Sequence, residues 1–278
     1  TKAILAPHLM GNIVNWQKLY PMLKKKNIKI IEDSADTLGA TYNGKSTGHY
    51  ADISITSFYG SHIINCAGNG GMVCFNDKKL YTKAKLLRSW GRSSSLFDEN
   101  SECIENRFNV SLDGIDYDAK FVFEKVGYNL EGSEIGAAFG LAQLKNLEKN
   151  IQTRRANFKK QCQFFSKYPS LFVNPKEFIG VKTAWLAFPI LISKEAGFKR
   201  KDFQIFLEER SIQTRVVFTG NILRQPMTTN IKKICKEEGY PNSDSIMERG
   251  VLLPLHHGMK ESMFRRLHST IDEFVNTL

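Results

Sequence analysis

The stretch Ser54–Phe75, SITSFYGSHIINCAGNGGMVCF, constrains the fold of this chain more than any other. Ser54 to Tyr59 alternates as a strand does, a polar turn holding His62 follows, and the glycines Gly68, Gly70 and Gly71 lead into a second strand, Met72 to Phe75. Glycines let a backbone bend sharply and come close to a ligand, so an imidazole directly after a strand and beside them suits a reactive site. Histidine is also a common half-buried packing residue, and the loop alone leaves both readings open.

Upstream, Ala3 to Pro7 reads as a short buried strand, Trp16 to Lys26 as an amphipathic helix and Lys29 to Asp33 as a second strand. Strand, crossover helix and strand make a parallel unit whose ligand site lies at the carboxyl ends of the strands. Asp33 stands at such an end, where a turn or helix-capping aspartate is the alternative. Lys78 to Arg88 reads as a helix, and Ser93 to Asp118 as a long polar loop of the kind that is functional or mobile. Ser133 to Asn150 reads as one helix with a small-residue face, Gly136, Ala137, Ala138 and Gly140, that lets another element approach closely. A charged helix from Ile151 then leads to a smaller C-terminal domain, with strands at AWLAFPILI and TRVVF and amphipathic helices at Phe198–Arg210 and Glu261–Leu278. The expected division is residues 1–150, a large domain, and residues 151–278, a linker helix and small domain.

The 278 residues are 42% hydrophobic and 24% charged, and the apolar runs are strand-sized, so the expectation is a soluble globular protein of the cytoplasm with no membrane span or signal peptide. Five cysteines without a CxxC pair read as reduced thiols. The net charge of +11 sits in short solvated patches such as Lys24-Lys25-Lys26 and Lys199-Arg200-Lys201, with no nucleic-acid motif beside them; a modest pull on a nucleotide diphosphate is the functional remainder. His256-His257-Gly258 has no cysteine or carboxylate at metal spacing, so no metal site is expected.

Ser57-Phe58, His62, Ile64 and Gly68-Asn69-Gly70-Gly71 together resemble the cofactor-lysine segment of the DegT/DnrJ/EryC1/StrS sugar aminotransferases, which are fold-type I pyridoxal phosphate enzymes. Glu32-Asp33-x-Ala35 through Gly39-Ala40 and Gly127-Tyr128-Asn129 carry the resemblance on, and it covers nearly the whole chain. His62 stands at the lysine position, which is similar to the nucleotide-4-keto-6-deoxyhexose 3-dehydratases; Asp36, Tyr59 and the run Arg215-x-x-Phe218-x-Gly220-Asn221-x-x-Arg224-Gln225-Pro226 also look like that subgroup.

The resemblance implies an α/β fold: a three-layer αβα large domain, here lacking its N-terminal part, and a smaller α+β C-terminal domain. It implies that Asp33 pairs with the pyridine nitrogen of the cofactor, that Ser57 contacts its phosphate, that Asp36 and Tyr59 line the cofactor, and that Asn129 reaches the phosphate across a homodimer interface. Arg215 or Arg224 is then placed to bind substrate diphosphate, ion pairing being the other reading, and His256 and His257 are substrate-side candidates. The expected reaction is pyridoxal or pyridoxamine phosphate-dependent 3-dehydration of a nucleotide-linked 4-keto-6-deoxyhexose in deoxysugar synthesis for surface polysaccharide, with His62 as the base and an amino donor such as glutamate. A sugar aminotransferase and an inactive homologue are the alternatives.

Three departures accompany the resemblance. The family's phosphate cradle and stacking aromatic precede the first residue here, so weak cofactor binding by this chain is expected. Ser93-Ser94-Ser95 and Ala35 stand where iron-sulfur-dependent relatives carry cysteines, leaving Cys103 alone, so no cluster is expected. Leu130-Glu131-Gly132 replaces the arginine that follows the Gly-Tyr-Asn turn in many aminotransferases.

Overall fold

A computed structural model describes residues 1–97 and 103–278. They form two compact units, the first made of Thr1–Pro7, Trp16–Ala35 and Thr47–Lys145, the second of His8–Asn15, Asp36–Ser46 and Asn146–Leu278.

The first unit is built on a four-stranded sheet in the order Ala3–Pro7, Lys29–Asp33, Ile53–Ser57, Gly71–Phe75. The first three strands are parallel and the last is antiparallel. The helix Trp16–Lys25 precedes the second strand, as the sequence pattern predicts. Ile30 is fully buried at the centre of that strand, and Asp52 pins its start by accepting from the Ile30 amide at 2.9 Å and from Lys29 Nζ at 2.9 Å.

The expected long loop from Ser93 to Asp118 has more structure than its polarity suggests. Its residues 98–102 lie outside the described residues; the rest holds a 3-10 turn at Ser93–Leu96, a short helix at Ile104–Phe108, and a hairpin of Val110–Leu112 with Ile115–Tyr117. The hairpin turns on Asp113-Gly114, both left-handed at φ 51° and 84°, which is the Asp-Gly signature of a two-residue β-turn. Arg107 closes the base, its Nε 2.9 Å from both carboxylate oxygens of Asp118.

The predicted helix Ser133–Asn150 is two helices, Glu134–Leu144 and Leu147–Phe165, separated at Lys145-Asn146. Asparagine favours helix ends because its amide competes for backbone groups, and Asn146 occupies the N-cap position of the second helix.

The second unit is an antiparallel sheet in the order Arg215–Val216, Gly250–Leu253, Phe188–Ile192, Phe172–Val173, packed with the helices Leu147–Phe165, Arg200–Glu209 and Glu261–Val275. Aromatic rings fill its core: Phe158 stacks on Trp185 at 4.6 Å, and Phe165 on Phe188 at 5.4 Å. The strand expected from Ala184 starts only at Phe188, because Trp185 takes a left-handed φ of 46°. Among the described residues no helix is long and apolar enough to cross a membrane.

Candidate active site

The carboxyl end of the parallel sheet in the first unit gathers the first group of candidates. Asp33 pairs in register with Ile55, so Ser57 lies two residues further along the neighbouring strand at the same sheet end. The buried Glu32 secures this end, accepting from Ser34 Oγ and from the Gly48 amide, both at 2.6 Å. Asp33 is half-buried, its Oδ1 accepting from the Ala35 amide at 3.1 Å, which fixes the carboxylate within the turn that follows the strand.

The loop that carries His62 leaves from Ser57, whose Oγ accepts from the Tyr59 amide at 3.2 Å. Backbone bonds tie the loop on itself: Phe58 N to Gly70 O at 2.9 Å, Gly60 N to Gly68 O at 3.0 Å, and Cys66 N to Phe58 O at 2.9 Å. Gly70 is required there, since a Cβ would stand 2.7 Å from Cys66 Cβ. The His62 amide donates to Tyr59 O at 3.0 Å, so His62 sits half-buried just after a tight turn, while Tyr59 is 57% exposed.

The helix Glu134–Leu144 braces this loop from within the same chain. A Cβ at Gly136 would lie 2.9 Å from Cys66 O, one at Gly140 would lie 2.9 Å from Cys66 Sγ, and Gln143 exchanges hydrogen bonds with the backbone of Asn65. These residues recur at spacings of four and three, on one helix face. Gly136 and Gly140 of the predicted small-residue face are therefore used inside the chain, and do not by themselves argue for a second copy.

Asn129 is exposed and forms an isolated antiparallel bridge with Ser89. The segment around it is locked to the end of the Lys78–Arg88 helix by Tyr128 N to Leu87 O at 2.7 Å and Leu130 N to Arg88 O at 2.9 Å. Glu131, in the Leu130-Glu131-Gly132 run, accepts from Ser89 Oγ and lies 3.4 Å from Arg88.

The remaining candidates belong to the second unit. Asp36 is buried and its Oδ2 accepts from the Met10 amide at 2.9 Å, holding Met10 in a left-handed conformation at φ 61°. Arg224 forms a two-pronged pair with Asp244, which also accepts from Asn221 Nδ2 at 2.8 Å; the guanidinium and then the amide hold the Asp244 carboxyl down at about 2. Ion pairing, the alternative for Arg224, is thus what its side chain does. Arg215 has no carboxylate partner within ion-pair distance among the described residues and lines an open groove of about 560 Å³ with Arg200, Lys201, Thr214 and the carboxylates Glu208 and Glu209. His256 and His257 lie on an exposed turn, and burial followed by the charge of Arg154 lowers both imidazoles from their ordinary value.

Glu32 and Gln143 are not legible as site-supporting residues, because a polar side chain that bonds backbone carries no periodicity of its own.

The sequence profile of the DegT/DnrJ/EryC1/StrS aminotransferase family matches residues 1–272. The chain belongs to this family. It is 32% identical over 276 residues to the lipopolysaccharide biosynthesis protein RfbH of Salmonella typhimurium, covering 99% of this chain and 63% of that one. It is 32% identical over 277 residues to the dTDP-4-dehydro-2,6-dideoxy-D-glucose 3-dehydratase of Saccharopolyspora spinosa, covering 99% and 59%. Among solved structures it resembles a histidine-to-asparagine mutant of GDP-4-keto-6-deoxymannose-3-dehydratase with bound GDP-perosamine, at 25% identity and a TM-score of 0.83, covering 98% of this chain and 68% of that one. The chain spans about three-fifths of the length of the curated relatives it matches. The fold is that of the pyridoxal phosphate-dependent aminotransferases.

The residues at the sheet end fit such a cofactor. A half-buried carboxylate at Asp33 suits a protonated ring nitrogen, and a hydroxyl at Ser57 suits a phosphate. Between Phe58 and Gly71 there is an imidazole and no lysine, so this loop offers no amine for covalent attachment.

Proposed function

We propose that the protein is a 3-dehydratase of a nucleotide-linked 4-keto-6-deoxyhexose, acting with pyridoxamine or pyridoxal phosphate and an amino donor such as glutamate, in deoxysugar synthesis for surface polysaccharide. The observation that carries this reading is His62, an imidazole in the turn after the Ile53–Ser57 strand where the family's aminotransferases carry lysine.

When bound, the cofactor supplies an amine for the C4 ketone and a ring that takes up an electron pair. Asp33 holds the proton at the ring nitrogen from the strand end, and Ser57 donates to the phosphate, with Asp36 and Tyr59 as further cofactor-side residues. His62 would serve as the base at the cofactor's methylene carbon and would pass that proton to the C3 hydroxyl, which leaves as water; an imidazole can both take and give a proton and forms no stable bond to a carbonyl. Asn129 reaches the phosphate from a second copy in a homodimer. Arg215 binds the substrate diphosphate, its guanidinium offering paired donors to phosphate oxygens, with Arg224 as the alternative. His256 and His257 contact the substrate.

Incubation of the protein with pyridoxal phosphate, glutamate and the GDP- or dTDP-linked 4-keto-6-deoxyhexose, followed by mass spectrometry, tests the reading. A product that has lost the C3 oxygen supports it. A product that carries a nitrogen in place of the C4 ketone oxygen overturns it in favour of a sugar aminotransferase.

A further inference from the structure

Arg154 is a buried cation without an anion. It is 3% exposed, and its Nη1 donates to three carbonyl oxygens, Trp185 O at 3.1 Å, Leu186 O at 3.2 Å and Leu255 O at 3.1 Å. Among the described residues no carboxylate pairs with it, and its Nε is buried without a hydrogen-bond partner. Removing a guanidinium from water with only carbonyl dipoles in return costs several kcal/mol, which a neutral side chain of similar size would avoid. Burial alone brings Arg154 down to about 10, still far above neutral pH, so it keeps its charge.

The carbonyls it holds lead to the histidine turn. Arg154, Asn157 and Gln161 lie on one face of the helix Leu147–Phe165, and each takes one of three consecutive carbonyls: Gln161 Nε2 donates to Pro254 O at 3.3 Å, Arg154 to Leu255 O, and Asn157 Nδ2 to His256 O at 2.9 Å. The turn closes on itself through the Gly258 amide, which donates to His256 Nδ1 at 3.1 Å. That nitrogen must therefore keep its lone pair, and a neutral His256 presents Nε2–H outward. On the other side, Leu186, whose carbonyl Arg154 holds, donates its amide to Met10 O at 3.0 Å, and Met10 donates to Asp36.

We propose that Arg154 is a positioning residue that ties the His256–His257 turn to the long helix and to the Met10–Asp36 contact, and so fixes both imidazoles toward a ligand. The ligand-facing part of this statement rests on the proposed function, in which the turn lies on the substrate side. The charged groups that act on these rings are Arg154 on both, and His256 on His257.

The experiment compares Arg154→Lys, which keeps a charge and three donors, with Arg154→Gln, which keeps amide donors and loses the charge. The readouts are ring titration of His256 and His257 by NMR without ligand, and the affinity for GDP. Arg154→Gln is expected to move both titrations up toward the ordinary histidine value, and Arg154→Lys to restore them. Asn157→Ala, a half-buried change that leaves the Arg154 charge alone, is expected to leave the titrations in place and to weaken GDP binding by about threefold or more, the loss of one hydrogen bond. Coincident titrations for wild type and Arg154→Gln overturn the inference, as does a failure of Arg154→Lys to differ from Arg154→Gln. If the titrations move as expected and no variant alters GDP binding, the positioning role stands and the substrate-side assignment of the turn falls. Should Arg154→Gln not fold, wild type and Arg154→Lys decide: titration of His256 and His257 at the ordinary histidine value in both proteins overturns the proposal.

Discussion

Gly136 and Cys66 are in close backbone contact: a Cβ added at Gly136 would stand 2.9 Å from the carbonyl oxygen of Cys66, four residues after His62. That contact sets how near the Glu134–Leu144 helix comes to the histidine loop. Gly136→Ala is expected to destabilise the protein by about 1–3 kcal/mol, since a backbone oxygen has nowhere to go, even though alanine is the better helix former. Gly140→Ala meets only the Sγ tip of Cys66, which can rotate away, and is expected to lie within about 1 kcal/mol of wild type. Urea denaturation of the two variants checks the difference; equal losses would show that the helix does not brace the loop in this way.

The two arginines proposed for the substrate diphosphate differ in what already engages them. Arg224 is held by Asp244, and Arg215 faces a groove of mixed charge with Arg200, Lys201, Glu208 and Glu209. Arg215→Ala is expected to weaken binding of a nucleoside diphosphate sugar about tenfold or more, and Arg224→Ala by less than about threefold. Calorimetry with the GDP sugar checks both, and the reverse order would return Arg224 to the diphosphate.

His268 links the terminal helix to the carbonyl ladder. Its ring stacks on Phe164 at 3.9 Å, and its Nε2 lies 2.9 Å from Gln161 Oε1, while Gln161 Nε2 holds Pro254 O. Burial, and after it the charges of Lys160 and Lys167, push this imidazole down to about 4 from an ordinary 6.5. The unfolded chain therefore takes up the proton first as pH falls. The stability His268 contributes is complete above about pH 6.5 and is lost progressively toward pH 4, at a slope below ~1.4 kcal/mol per pH unit because the ring is partly solvated. Urea midpoints at pH 7.5 and 5 should differ less in His268→Gln than in wild type; identical pH dependence would contradict this origin.

The elements legible in the sequence are those with strong periodicity or obligatory residues. The strand ending at Asp33, the glycine loop and the terminal helix follow from alternation, glycine and helical spacing, whereas the strand expected over Ser54–Tyr59 runs Ile53–Ser57, because the Tyr59 amide turns back onto Ser57 Oγ. The Asp113-Gly114 hairpin was equally legible as a turn signal and was obscured by the polarity around it. The break at Lys145-Asn146 was hidden because residues on both sides favour helix, so only the asparagine marks it. Among the sheet-end candidates, resemblance points to Asp33 and His62, whereas Glu32 and Gln143 act on backbone groups distant in sequence, and only coordinates bring those together.

The account depends most on His62. Replacing it by Asn keeps a polar side chain of similar shape and removes the base, so secondary structure and cofactor retention should be unchanged. The direct measurement is the initial rate of 3-deoxy product formation from the nucleotide 4-keto-6-deoxyhexose, wild type against His62→Asn, at saturating pyridoxamine phosphate. A fall of about 10² to 10⁴ is the predicted result, the usual contribution of a general base. Equal rates in the two proteins would contradict the assignment and leave His62 a packed residue of the turn.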